Sequence, residues 1–267
     1  MYARILSLSM LVLWMVTTPA AAQQAKNATD AQGRKQGYWE AVDRNGKLVY
    51  AGYFKDNRPT GEMKRFHPDG SVRVIMQYDE TGEKAYARFL WQNGEIAAEG
   101  NYLRNKRDSI WTFYNDVTHR ISNKTGYREG MKHGISQSFY PFGNVAEEVH
   151  WENDRKEGAW QQFFEKGGLK LSATYRDNKL EGSFVIYFPD GKKETEGIYR
   201  NNLPEGTWTR YNADGTIMSA LEYKNGVIAD FEKLTESQQD FFNRMEAEKG
   251  KIPEPDLDNL FMDSRRR

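Results

Sequence analysis

Apolar and polar positions in this chain alternate in short bursts, each closed by Gly, Asn or Asp. A period of two is the signature of strands with one covered face. The bursts recur in phase. Units start at Gly37, Gly61, Ala85, Ser109, Gly134, Gly158, Gly182 and Gly206, with spacings of 24 residues and a single spacing of 25. An aromatic stands 17 residues after each start, or 18 in the longer unit: Phe54, Tyr78, Tyr102, Tyr127, Trp151, Tyr175, Tyr199 and Tyr223. Gly stands nine residues after every start except Ser109, whose unit reads NDVTHR.

Each unit reads as a β-hairpin. Two strand-like runs flank RNG, PDG, QNG or ADG, which are hairpin turn signals. Gly at the last turn position can take φ > 0, as a three-residue loop with a G1 bulge requires. In that register offset five faces offset eleven. The pairs are Val42/Leu48, Phe66/Val72, Leu90/Ile96, Tyr140/Val145, Phe163/Leu169 and Tyr211/Ile217. Strict alternation then puts the aromatic at offset 17 on the face of offset eleven, as one core stripe. Polar turns such as KDNRPTG and RNNLPEG join the hairpins, and the opening Gly lets the chain reverse. One hairpin cannot bury its own apolar face; stacked units can, each covering the next.

The run Tyr199–Gly215, with its pattern Y-x-x-N-x-x-x-G-x-W-x-x-Y-x-x-D-G, resembles the MORN repeat, and most of all the longer bacterial variant of antitoxin-like (YwqK-type) proteins. The resemblance covers residues 37–226. It implies an all-β, elongated, twisted antiparallel sheet of tandem hairpins. It implies binding or scaffolding, in some members neutralisation of a toxin, and in others association with membranes or lipid head groups. It brings no catalytic residues. Ala85 and Ser109 depart from the opening Gly, and NDVTHR lacks the turn Gly, so the middle of the array is expected to be bent or interrupted.

The ends read differently. Residues 1–22 carry Arg4, an apolar run from Ile5 to Val16, and Pro19 before Ala20–Ala22. That is the pattern of a secretory signal peptide, with the run short of the roughly 20 residues that span a bilayer. An exported, periplasmic or extracellular protein is expected, with 23–36 a polar linker and 37–230 the array. Residues 231–250 read as a helix: Thr235 and Gln238 form a capping box, and Phe241, Phe242 and Met245 share one side. That helix either caps the last hairpin or docks a partner. Residues 251–267 read as a flexible tail.

Composition narrows the chemistry. The chain of 267 residues has no Cys, so disulfides and thiol catalysis are excluded. Basic and acidic residues number 38 each, which argues against a nucleic-acid partner. No nucleophile elbow or phosphate-cradling loop is present, so no enzyme activity, cofactor or metal is expected. Glu148, His150 and Glu152 alternate along one strand as the best metal-like set, with an ordinary solvated face as the other reading. Asp69, Asp190 and Asp214 suit turn formation. Sequons at Asn27 and Asn123 matter only in a glycosylating host.

The strongest binding candidate is the row at offset two: Trp39, Met63, Ala87, Trp111, Ser136, Trp160, Phe184 and Trp208. By parity it lies opposite the stripe at offsets five and eleven. Trp39, Trp111, Trp160, Phe184 and Trp208 are thus either an exposed aromatic strip for a protein, glycan or lipid partner, or rings packed against the neighbouring hairpin. The function expected is a non-enzymatic exported binding or scaffold protein. The alternatives are an immunity-like partner of a toxin, or an enzyme with an unrecognised carboxylate site.

Overall fold

Short β-rich runs separated by Gly- and Asn-containing turns have one economical solution, a strand that pairs with the strand before it. The computed structural model describes residues 26–229, and there the chain does this throughout. The eight hairpins are Lys35–Val42/Leu48–Lys55, Arg58–Phe66/Val72–Tyr78, Lys84–Leu90/Ile96–Leu103, Lys106–Tyr114/Ile121–Arg128, Met131–Phe139/Val145–Glu152, Arg155–Phe163/Leu169–Arg176, Lys179–Tyr187/Lys193–Arg200 and Leu203–Tyr211/Ile217–Lys224. Two-residue strands, Ala28–Thr29 and Val227–Ile228, stand at the two ends. Consecutive strands pair antiparallel, giving one open sheet of 18 strands. Among the described residues there is no helix. The signal peptide, the helix at 231–250 and the tail at 251–267 lie outside the described residues.

The stretch read as a linker is built into the sheet from residue 26 onward. Ala28 and Thr29 pair with Gln36 and Lys35. The Asp30 carboxylate accepts from the Gln32 and Arg34 backbone N–H groups at 3.0 and 2.9 Å. Trp39 Nε1 donates to the Ala28 carbonyl at 2.9 Å, tying this strand to the first hairpin.

Inside every unit but the fourth the turn is the expected three-residue loop. In unit one Gly46 takes φ 78°, and its N–H donates to the Asp43 carbonyl. Unit four solves the same geometry without glycine: its loop carries the extra residue, and His119 takes φ 54°. The extra residue therefore belongs to unit four, and in unit five Val145 pairs with Phe139 rather than Tyr140. The other predicted pairs form, among them Val42 with Leu48 and Tyr211 with Ile217.

Between units the reversal is made by two residues, both at positive φ, such as Asp56/Asn57, Asp177/Asn178 and Asn201/Asn202. These are type I′ turns. The opening Gly is not part of that turn. It sits within the following strand, where the register slips: Gly52 pairs with Met63, but Tyr53 pairs with Thr60. Unit three has no such slip, because its extra residues lie in the longer turn around Asp79–Glu83. That is why Ala85 can stand where other units need Gly. Ser109 keeps the bulge and takes φ 60° itself.

Each type I′ turn also docks on the preceding unit. Asn202 N–H donates to the Leu180 carbonyl at 3.0 Å, and its Oδ1 accepts from the Leu180 N–H at 2.6 Å. Asn57 does the same with Lys35, and Asn178 with Lys156. At the opposite end a side chain latches onto the next loop. Lys47 Nζ donates to the Pro68 carbonyl, Asn144 Nδ2 to that of Glu165, and Lys192 Nζ to that of Ala213.

Replacing Asn202 with Ala removes the acceptor of a part-buried N–H and puts a Cβ-bearing residue of poor αL tolerance at φ 67°. We expect a loss of about 2 kcal/mol, read from urea or thermal unfolding, with Asn202→Asp recovering much of it.

Candidate functional site

The aromatic row at offset two lies in the core. Trp111 is 0% exposed and Trp208 3%; Trp160 and Phe184 are also buried, and Trp39 is half-buried. The Trp208 ring packs between Tyr199 and Tyr223, with centroids 5.0 and 6.1 Å away. Trp111 meets Tyr102 at 5.0 Å, and Trp160 meets Tyr175 at 5.4 Å. So offsets two and 17 share one face. The exposed strip is corrected accordingly, and with it the stripe that joined offset 17 to offset eleven. The cause is one residue. At the loop end of each hairpin Val42 pairs with Leu48 but Ala41 pairs with Tyr50, so Val49 is an extra residue in the second strand. Parity flips there, which sends offsets five and eleven to the outer face.

Two glycines show how close the rings lie. A Cβ on Gly197 would come within 2.2 Å of the Trp208 ring, and one on Gly100 within 2.5 Å of Trp111. Two indole N–H groups of the row find acceptors: Trp111 donates to Asn101 O at 2.9 Å, and Trp160 to Glu147 Oε1 at 2.7 Å. Cations cover the rim of the row, with Lys35 Nζ 4.6 Å from the Trp39 ring centroid and Lys132 Nζ 4.5 Å from that of Trp151.

The core is interrupted at units four and five. One apolar cluster contains Ala87, Ala98, Trp111 and Phe113; the other runs from Val149 and Trp160 to Trp208 and Tyr223. Between them the buried face carries Asn123, Thr125 and Ser136. Ser136 Oγ donates to Thr125 Oγ1 at 3.1 Å, and Thr125 Oγ1 donates to Asn123 Oδ1 at 2.6 Å. A cavity of about 20 Å³, the size of one water molecule, lies beside them. Burial closes the Asn123 sequon to a glycan, and Asn27 Oδ1 is engaged by the Glu40 N–H.

The outer face is mostly polar. Tyr114 Oη donates to Glu99 Oε1 at 2.7 Å, and Tyr211 Oη to Glu196 Oε1 at 2.5 Å. Burial, with the bond to Glu99 second, pushes the Tyr86 phenol up to about 12. Glu148 comes to 3.7 Å from His150 and accepts from Gln137 at 2.9 Å, while Glu152 is exposed. Among the described residues no three His, Asp or Glu side chains gather as a metal site. Asp69, Asp190 and Asp214 each accept from the backbone N–H two residues on, at 2.9, 3.1 and 2.9 Å. These bonds and their hydroxyl and lysine partners hold the three carboxyls below the usual range.

Units four and five break the outer pattern too. At offset one they carry Ile110 and Ile135, 63% and 45% exposed, where other units carry Tyr38, Glu62, Tyr86, Ala159, Ser183 and Thr207. At the loop tips they carry Val117 and Phe142, 79% and 76% exposed, where other units carry Asp69, Asp190 and Asp214. Arg120 Nη1 donates to the Pro141 carbonyl at 3.1 Å and holds the two tips together. These two units thus add polar groups to the buried face and apolar groups to the exposed surface. Reading the repeats column by column would have found these four residues; reading along the chain did not.

A family profile described as MORN repeat variant matches residues 59–80, 132–153, 180–201 and 204–225. No curated protein matches the chain. Among solved structures, an S. aureus TarM mutant in complex with fondaparinux, alpha-GlcNAc-glycerol and UDP is 11% identical over 45% of this chain and 21% of that one, at a TM-score of 0.29. A second TarM structure is 13% identical over 44% and 21%, at 0.28. The chain thus matches about a fifth of the length of TarM. The TCP10 domain of Danio rerio CPAP, in complex with a Danio rerio STIL peptide, is 14% identical over 70% of this chain and all of that one, at 0.19. Scores this low carry no inference about fold or activity.

Two outcomes are expected. Trp208→Ala should cost about 3–5 kcal/mol, the usual loss for a buried large aromatic, measured by chemical unfolding. Acid should also weaken the fold. Backbone and side-chain donors, the Arg34 N–H first, hold the Asp30 carboxyl down at about 2, against about 3.9 when unfolded. Between these values the unfolded chain binds more protons, so stability present above about pH 4 is lost as pH falls toward 2. The Tm of Asp30→Asn should fall less over that range than the parent's.

Proposed function

We propose that this chain is a non-enzymatic, exported binding or scaffold protein whose protein partner docks on the outer face and loop tips of units four and five. The observation that carries this reading is the set of exposed apolar side chains in those units. Val117 and Phe142 are exposed at a loop-tip position that is polar in the other units, and Ile110 and Ile135 at a position that holds Tyr, Glu, Ala, Ser or Thr elsewhere. Exposed apolar groups brought close together, as Arg120 does for the two loop tips, mark candidate interaction sites. Aromatic anchors usually dominate interfaces, and among the described residues Phe142, at 76%, is more exposed than the other exposed aromatics, Tyr53 and Tyr86. The repeat matches support a binding role, and the N-terminal pattern of Arg4, an apolar run and Ala20–Ala22 supports export.

The test is a comparison within the envelope fraction. The parent and an Ile110→Ser/Phe142→Ser variant are used as bait, after both are shown to melt alike. The parent should retain a protein that the variant loses. Identical captured sets would remove units four and five as the contact surface. Sequencing the N-terminus of the recovered protein checks export, with cleavage expected after Ala22.

A further inference from the structure

We propose that the junction between units four and five is a joint that divides the array into two blocks, residues 26–128 and 131–229, each of which opens without the other. The cohesion of a repeat array is a sum over nearest-neighbour interfaces, so it parts where one interface is weak. The weak interface lies on the face that carries the rings. Where one unit meets the next, two residues stand opposite each other there: Gly52 and Met63, Met76 and Ala87, Gly100 and Trp111, Val149 and Trp160, Ala173 and Phe184, Gly197 and Trp208. None of these pairs carries a polar side chain. Between units four and five the pair is Thr125 and Ser136, 5% and 9% exposed.

The next pair toward the loops, Asn123 and Ser138, is polar as well. Glu147 with Gln162 and Thr195 with Arg210 are polar too, but each lies beside a buried ring, Trp160 or Trp208. What apolar area remains across the joint is the Tyr127 ring, opposite Lys132 at the turn end. One apolar cluster therefore stops at Phe113 and Tyr127, and the next starts at Val149 and Trp151. The polar side chains do not fill the space. Ser138 Oγ is buried without a hydrogen-bond partner and lines the water-sized cavity with Asn123, Ser136 and Glu147. The bonds from Ser136 to Thr125 and from Thr125 to Asn123 replace bonds that water supplies to an open chain, so their net contribution is small.

The margins are lightly held here as well. The turn Glu129–Gly130 docks through the Gly130 N–H on the Arg107 carbonyl at 2.9 Å. Glycine has no side chain with which to return the bond that Asn57, Asn178 and Asn202 accept. At the loop ends the Arg120 latch to Pro141 crosses the joint. Backbone pairing continues, with Met131 opposite Arg128 and Ser136 opposite Thr125, so the blocks stay one sheet until one of them opens. Val117 belongs to one block and Phe142 to the other. A partner gripping both tips thereby holds the joint shut; that consequence rests on the contact surface proposed above, whereas the joint itself does not.

The experiment is amide hydrogen exchange of the full-length protein, read by mass spectrometry, for the parent, Phe113→Ala and Leu171→Ala. Phe113 and Leu171 are 2% and 8% exposed, one in each block. Phe113→Ala should speed exchange across 84–128 at least about tenfold and leave 155–200 at the parental rate. Leu171→Ala should do the reverse. Phe113→Leu serves if Phe113→Ala does not fold. Thr125→Met/Ser136→Ala transplants the Met76/Ala87 pair into the joint, and on that background each change should speed exchange on both sides. Equal acceleration in both blocks without the transplant overturns the proposal, as does a boundary at any other junction. If the effect still stops at the joint in the transplanted background, the polar pairs are not its cause and the proposal falls. Capture of a protein by units four and five is tested separately by the bait comparison, so the two readings fail independently.

Discussion

A sheet one layer thick has no second layer to cover its apolar face. Every large side chain on that face must be shielded by its neighbours in the same sheet, and most of this structure follows from that requirement. Trp208 is buried because Tyr199, Tyr223 and Phe184 surround it, and because Gly197 leaves the backbone bare beneath its ring. The same economy recurs at Trp111 over Gly100. No unit owns its core. Each supplies a ring and borrows the walls, which is why the motif must recur in phase.

Shielding of this kind demands that adjacent hairpins keep a fixed separation and pitch. The Asn turns impose it at one end. Asn57, Asn178 and Asn202 each exchange two hydrogen bonds with a residue of the previous unit. Asn suits the role because it tolerates αL geometry and carries an acceptor of the right reach. At the other end Lys47, Arg120, Asn144 and Lys192 reach the next loop's carbonyls. The core alone would permit sliding; the hydrogen bonds at both ends set the register.

Much of this was legible in the chain. The 24-residue phase, the loop glycines and the pairing of offsets five and eleven follow from spacing and turn chemistry. The face of each residue did not. Val49 and its counterparts add one residue opposite an unbroken strand, and no side-chain preference announces it. One such residue reverses every later assignment of inside and outside, so Trp111 and Trp160 read as lying opposite the core stripe, either exposed or packed on a neighbour. The turn Asn residues were visible only as polar, because their partners lie in the preceding unit. Unit four looked merely degenerate, and unit five looked regular. Their apolar Val117 and Phe142 gain meaning only once the fold shows that loop tips face water.

The two ends of a hairpin also differ in what they leave free. The Asn turn is fixed by bonds in both directions, so a residue gained or lost there would break the contact with the unit before. The loop end is held by single side-chain latches to carbonyls. It is there that unit four holds its one additional residue, with His119 standing in for glycine and the strands on either side still paired. Changes in gene length within this array therefore have two permissive routes. Whole units can be duplicated or deleted in multiples of the period, or single codons can be added at the loop tips. The second route alters the shape presented at the sheet's margin while leaving the ladder of rings untouched, so an array of this design can diversify what it touches faster than it changes how it folds.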